Sequence, residues 1–129
     1  MSVYLCNGLS QSMNRDPNMK QIPYSLSEQE FINLIQNVKF ESCIGHKDFA
    51  GYLTGVTGEK IRYNRCNISV NYDDIILLAS LNKRLPEHPT SIDYEGNVTY
   101  SLVRFEKQSL VDWTRSNELF ERLVMGVSV

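Results

Sequence analysis

The feature that most constrains the fold of this chain is an uninterrupted apolar run at residues 75–79, which follows the acidic pair Asp73 and Asp74. Side chains alternate between the two faces of a β-sheet, so a strand that is apolar throughout must be covered on both faces. The run is far shorter than the roughly 20 residues that a membrane-spanning helix needs. We therefore expect a central, buried strand here and no membrane span.

A helix start is predicted at Ser27. Ser27 and Glu30 have the spacing of a capping box, in which each side chain bonds the backbone N–H of the other residue. Four apolar residues with helical spacing follow and form one stripe that must be buried; these are Phe31, Leu34, Ile35 and Val38.

A second, shorter helix is predicted after Gly45, which interrupts an extended segment at 40–44. This helix carries Phe49, Leu53 and Val56 on its apolar side and ends by Gly58. His46 therefore lies at the start of a helix.

Further strands are expected where β-prone residues cluster or alternate: at 2–6, 61–63, 68–70 and 98–105. Residues 83–89 contain two prolines and should form a stiff, charged exit loop. A last helix is expected at 118–125. Strands interleaved with helices predict an α/β fold, with one compact domain (1–129) built on a mixed central sheet flanked by helices.

The charge balance of the chain limits the nucleic-acid partners that it can bind. The chain has 13 Lys+Arg against 15 Asp+Glu and a net charge of −2, so it lacks the broad positive field with which proteins bind duplex DNA. Any nucleotide partner should be small and bound locally. The N-terminus has no basic residue before Asn7 and does not resemble a signal peptide. We expect a cytoplasmic protein.

Three cysteines at wide spacing, Cys6, Cys43 and Cys66, are typical of reduced and mostly buried thiols rather than of a disulfide framework. Adding Cys66 or His88 to Cys43 and His46 would go towards the four ligands of a zinc site, but nothing in their spacing brings them together. We expect no metal and no cofactor. The common signatures of phosphate-binding loops, dinucleotide sites, metalloproteases and serine hydrolases are absent.

A few polar residues are candidates for chemistry. His46 is one of two histidines, and the free N–H groups of a helix start attract anions. Arg65 and Arg84 follow predicted strands, where a guanidinium can hold a phosphate through two hydrogen bonds, and Glu87 lies on the exit loop. The alternatives are a structural histidine, surface ion pairs and a solvated carboxylate. The residues alone predict a small-anion site and no more.

Four segments resemble a known family. They are residues 4–10, which include Asn7 and Ser10, residues 42–46, Asn64-Arg65, and residues 84–87 with the order Arg, Leu, Pro, Glu. Their order and separation are similar to those of the viral ring-nuclease family of type III anti-CRISPR proteins. The resemblance covers roughly residues 3 to 90, and it leaves 91–129 as a C-terminal extension without a counterpart.

The resemblance implies a homodimer whose two-fold cleft binds cyclic tetra-adenylate, a cyclic oligoadenylate messenger, in the cytoplasm of a prokaryotic host. It implies His46 as the general acid, Arg84 on the scissile phosphate and Glu87 at the attacking ribose hydroxyl. Asn7, Ser10, Gly45 and Arg65 would bind the ring. Cleavage would need no metal and would leave a linear product with a 2′,3′-cyclic phosphate.

Two positions depart from the family pattern. Ser12 and Ser80 stand where longer amide side chains are expected. Two other functions therefore stay open: a sponge that binds a cyclic nucleotide without cleaving it, and a viral regulatory dimer in which the motifs only pack.

Overall fold

The structure is a computed structural model that describes residues 1–107. The strands in this part of the chain are β1 (Val3–Cys6), β2 (Met19–Leu26), β3 (Glu41–Cys43), β4 (Ile75–Leu81) and β5 (Val98–Lys107). The α-helices are α1 (Glu28–Asn37), α2 (Lys47–Thr57) and the single turn α3 (Ser91–Tyr94), and a 3₁₀ helix covers Gln11–Met13.

The strands form one mixed sheet in the order β2-β5-β4-β1-β3. β1 is parallel to both β3 and β4, whereas β5 is antiparallel to β4 and to β2. The apolar run at 75–79 lies in β4, the middle strand, as predicted. The α/β fold with a mixed sheet flanked by helices is thus confirmed, and the homodimer stays a prediction.

Both faces of the sheet are covered, which explains the apolar run. On one face Leu5 and Leu77 pack with Phe31 of α1 and Phe49 of α2. On the other face the strand residues Cys6, Ile76 and Val103 pack with Val70 and with partly buried Met13. Helices α1 and α2 therefore cover one side, and the segments around Met13 and Val70 cover the other.

Both predicted helix starts are confirmed. Ser27 Oγ accepts a hydrogen bond from the Glu30 N–H at 3.1 Å, and the Ser27 N–H donates to Glu30 Oε1 at 2.9 Å. His46 is the N-cap of α2, and Gly58 ends that helix at φ +75°, a left-handed conformation that favours glycine. Of the stripe on α1, Phe31 and Ile35 are fully buried.

The predicted strands at 61–63 and 68–70 are wrong. Only isolated bridges form there, Tyr63 with Ile44 and Val70 with Asn14. The sequence analysis also missed β2, because Pro23 and several polar residues interrupt its pattern. Among residues 1–107 β2 is an edge strand, and a proline is tolerated on such a strand because one of its sides has no partner that needs the missing N–H.

The C-terminal third is described only in part. β5 lies between β2 and β4, so residues 98–107 belong to the sheet. The helix expected at 118–125 lies outside the described residues, and the assignment of 1–129 to one domain with 91–129 as an extension stays a prediction. No helix within residues 1–107 is long and apolar enough to cross a membrane.

Candidate functional site

An open pocket of about 410 Å³ lies at the carboxyl ends of β1 and β3. These strands are parallel and pair Cys6 with Cys43, so the chain leaves both strands at the same edge of the sheet. We call this cavity the strand-end pocket. It is lined by Cys6, Asn7, Gly8, Met13, Cys43, Gly45, His46, Arg65, Cys66, Asn67 and Ile68. Ligands of open α/β sheets commonly bind at such an edge.

Asn7 and Gly45 are joined directly in this pocket. The Oδ1 atom of Asn7 accepts a hydrogen bond from the Gly45 N–H at 3.2 Å. The residue that follows β1 thereby holds the turn between β3 and α2. This turn places His46 at the rim of the pocket.

His46 caps α2 with its ring. Its Nδ1 accepts a hydrogen bond from the Phe49 N–H at 3.3 Å, and the side chain is exposed. Because Nδ1 is the acceptor in this bond, Nε2 is the ring nitrogen that can donate to a ligand.

Arg65 is held beside Gly45 by the segment before it. The Asn64 N–H donates to the Ile44 carbonyl at 2.9 Å, and Asn64 Nδ2 donates to the Ser42 carbonyl at 2.9 Å. A methyl group added at Gly45 would lie 3.6 Å from Arg65 Cγ, an ordinary contact distance. The stem of Arg65 therefore runs alongside Gly45, and its guanidinium is exposed.

The electrostatic character of the pocket favours an anion. None of its lining residues is an aspartate or a glutamate, whereas Arg65 is a permanent cation. Burial raises the pKa of the Cys6 thiol to about 12 and also raises the pKa of Cys43, so both thiols are neutral at physiological pH. The pocket also opens at the N-terminus of α2, whose positive dipole end attracts negative charge.

Ser10 does not line the strand-end pocket, although it lies on the same loop as Asn7 and Gly8. Its hydroxyl group forms a hydrogen bond with that of Ser12 at 2.7 Å, and both side chains are exposed. Ser80 is half-buried on β4, beside Thr99 of β5. It does not line the pocket either.

Arg84 and Glu87 are exposed on the loop after β4 and do not line the pocket. Within residues 1–107 neither of them forms a hydrogen bond or an ion pair. β4 is parallel to β1, so this loop leaves the sheet at the same edge as Asn7. The structure thus brings Asn7, Gly45, His46 and Arg65 together in the strand-end pocket. Arg84 and Glu87 lie at the same edge of the sheet but outside this pocket.

Sequence reasoning missed the three cysteines as part of this site. Cys6 and Cys43 pair across β1 and β3, and Cys66 Sγ lies 2.6 Å from Cys43 Sγ. The position of Cys6 and Cys43 at the ends of two predicted strands was a usable signal. In the described part of the chain, no three acidic, histidine or cysteine side chains are arranged to hold a metal ion.

Comparison with known proteins gives the family. The sequence profile described as STIV B116-like matches residues 3–101, well over half of the chain. The chain belongs to the STIV B116-like family. The matched region of this B116-like chain holds every residue of the strand-end pocket as well as Arg84 and Glu87.

A solved structure shows the same fold. B116 of Sulfolobus turreted icosahedral virus superposes on the B116-like chain with a TM-score of 0.69, covering 81% of this chain and 99% of that one. Sequence identity is 19%, so this likeness concerns the fold alone. A comparison with curated protein sequences gave no match.

Proposed function

We propose that this protein is a metal-independent ring nuclease that cleaves cyclic tetra-adenylate and so counters type III CRISPR immunity in the cytoplasm of a prokaryotic host. The observation that carries the proposal is the strand-end pocket, which is lined by both His46 and Arg65, opens at a helix N-terminus and has no acidic lining residue. Cleavage of a phosphodiester requires this combination of a local anion site and a group that can donate a proton.

The reaction is an internal displacement. The 2′-hydroxyl of one ribose attacks the adjacent phosphorus, the bond to the 5′ oxygen breaks, and a 2′,3′-cyclic phosphate forms. Glu87 accepts the proton of the hydroxyl, Arg84 holds the scissile phosphate, and His46 protonates the departing 5′ oxygen. Asn7, Ser10, Gly45 and Arg65 bind the ring. Proton transfer from a positioned acid contributes about 10²–10⁴ in rate, and in-line alignment contributes more.

The N-cap hydrogen bond of His46 fixes the orientation of its ring. Nδ1 accepts the Phe49 N–H, which leaves Nε2 as the ring nitrogen that can face a ligand. A phosphate of the ligand can bind at the start of α2, where backbone N–H groups attract anions. In this arrangement His46 Nε2 is the group that protonates the departing 5′ oxygen.

A homodimer explains how a small site serves a ring of four phosphates. A two-fold axis supplies two copies of each pocket from one encoded surface, which matches the internal symmetry of the ring. It also allows the exit loop with Arg84 and Glu87 to act on the same ligand as His46. The net charge of −2 is compatible with this, because binding depends on the local field of the pocket.

The decisive experiment incubates purified protein with cyclic tetra-adenylate in excess EDTA. We expect the ring to be converted to linear adenylates that end in 2′,3′-cyclic phosphate, and His46→Ala to bind the ring without cleaving it. His88→Ala is the matched control, since His88 is the other exposed histidine and lies outside the pocket. An intact ring after prolonged incubation with the unmodified protein would refute cleavage.

A second candidate function is binding without turnover. It is favoured by the position of Arg84 and Glu87, which do not line the pocket that holds His46. Tight binding followed by quantitative recovery of the intact ring supports this function. The absence of any thermal shift with cyclic oligoadenylates would contradict both functions and leave a regulatory dimer.

A further inference from the structure

We propose that Cys43 and Cys66 form a reversible disulfide that locks the loop carrying Arg65 at the strand-end pocket. Their Sγ atoms lie 2.6 Å apart although both cysteines are free. A disulfide bond is about 2.05 Å long, so the two sulfur atoms need only a small approach to become bonded. The residues are 23 positions apart in the sequence, and the fold alone brings them into contact.

The two thiols differ in access. Cys66 is exposed on the loop, whereas Cys43 is only 8% exposed at the end of β3. An oxidant in solution therefore reaches Cys66 first. Burial raises the pKa of Cys43 and of Cys6 and keeps both as thiols, so neither of them is the first target of the oxidant.

The chemistry balances with a peroxide as oxidant. The Cys66 sulfur attacks hydrogen peroxide, one oxygen is transferred to give a sulfenic acid, and water is released. The Cys43 thiol then gives up its proton as its sulfur attacks the Cys66 sulfur; this proton and the hydroxyl group of the sulfenic acid leave as a second water, and the disulfide remains. The peroxide is reduced and the two thiols are oxidised. A dithiol reductant restores both thiols by exchange.

The disulfide would follow Arg65 in the chain, whereas existing hydrogen bonds attach the chain before Arg65. Before Arg65, the Asn64 N–H is bonded to the Ile44 carbonyl, and Ser42 Oγ donates to the Arg62 carbonyl at 2.7 Å. After Arg65, the bond from Cys66 to Cys43 would attach the chain to β3 a second time. Arg65 would then be fixed between two anchors, beside Gly45 and the helix start that His46 caps.

The effect on ligands rests on the proposed function. Restricting the loop that carries Arg65 before binding reduces the conformational entropy lost on binding, and a saving the size of one ordered side chain is equivalent to about two- to tenfold in affinity. The oxidised protein should therefore bind cyclic tetra-adenylate more tightly than the reduced protein by about this factor. The disulfide itself is tested without any ligand.

The test treats the purified protein with hydrogen peroxide, blocks the remaining thiols with a maleimide under denaturing conditions and maps the product by peptide mass spectrometry. We expect Cys43 and Cys66 to lose their thiols together, the mass to fall by two hydrogen atoms, and dithiothreitol to reverse the change. Cys43→Ser and Cys66→Ser should each abolish the bond. Cys6→Ala should still form it.

Four outcomes of the peroxide treatment would overturn the proposal. They are three intact thiols, a sulfinic acid confined to Cys66, a Cys66–Cys66 cross-link between two chains, and a bond between Cys6 and Cys43.

Binding of cyclic tetra-adenylate is then measured on the oxidised and reduced forms. If the disulfide forms but the ring is neither bound nor cleaved, the proposed function fails and the disulfide stands. If the ring is cleaved while all three thiols persist after peroxide treatment, the disulfide proposal fails and the proposed function stands.

Discussion

The side chain of Asn7 accepts a hydrogen bond from the Gly45 N–H across 38 positions of sequence, and this bond connects the ends of two parallel strands. Both residues line the strand-end pocket. Gly45 immediately precedes the N-cap of α2, so the bond also positions His46.

Replacing Asn7 by Ala should loosen this turn. A hydrogen bond of this kind contributes about 0.5–1.5 kcal/mol to stability, so we expect a small decrease in the free energy of unfolding together with weaker binding of cyclic tetra-adenylate. Urea denaturation and ligand titration measure the two effects. Asn18→Ala is the control, because Asn18 is exposed and lies outside the pocket. Unchanged ring affinity in Asn7→Ala would show that the bond is only structural.

The two roles of His46 can be separated by substitution. His46→Asn keeps a side chain that caps helices well but removes the imidazole, whereas His46→Ala removes both. We expect His46→Ala to lose about 1 kcal/mol of stability and His46→Asn to lose little. Both should fail to cleave the ring. Thermal denaturation and a cleavage assay measure these effects, and residual turnover in His46→Asn would argue against imidazole as the acid.

Arg65 should contribute charge to ligand binding. Hydrogen bonds to charged groups are worth about 1.5–3 kcal/mol, so Arg65→Ala should weaken ring binding about tenfold or more. Ring binding by Arg65→Ala should also depend less on salt concentration, because one cation fewer contacts the phosphates. Arg62→Ala is the matched control, because Arg62 is exposed three positions earlier and does not line the pocket. Equal losses in the two variants would indicate a general charge effect instead of a specific contact.

The capping box predicts a pH dependence of stability. The hydrogen bond from the Ser27 N–H holds the pKa of the Glu30 carboxyl below its ordinary value of 4.5. Because the pKa is lower in the folded state, the stabilisation is present above the ordinary value and is lost as the pH falls through the folded value.

Glu30→Ala should therefore destabilise the protein at neutral pH and have a smaller effect in acid. Urea denaturation at several pH values measures this difference. Glu28→Ala is the control, because Glu28 lies in the same first turn and does not take part in the box. A difference between Glu30→Ala and the unmodified protein that stays constant with pH would contradict the assignment.

Local signals predicted several elements correctly. The capping box at Ser27 and the glycine break before His46 both lie within a few residues of the structure that they specify, so their physics is readable in the sequence. The apolar run in β4 likewise indicated burial on both faces. The edge strand β2 was missed because its stability comes from pairing with β5, and Met19 and Lys107 are distant in the chain.

The candidate site, too, was predictable from the sequence only in part. Sequence patterns selected His46, Arg65 and Asn7 as candidates, but they did not place Cys66 beside Cys43 or separate Arg84 and Glu87 from the pocket. Those distances depend on the register of β1 against β3 and on the bridge between Ile44 and Tyr63. A one-residue change in either pairing would move every following side chain while leaving the local patterns unaltered.

The amino-acid sequence alone thus determined where α1 and α2 begin, that β4 is covered on both sides, and which residue types are available for an anion site. Only the tertiary structure decided which of these groups meet. The physical reason is that caps and apolar periodicity act within a few residues, whereas a pocket assembled from Asn7, His46 and Arg65 depends on strand pairing between distant segments.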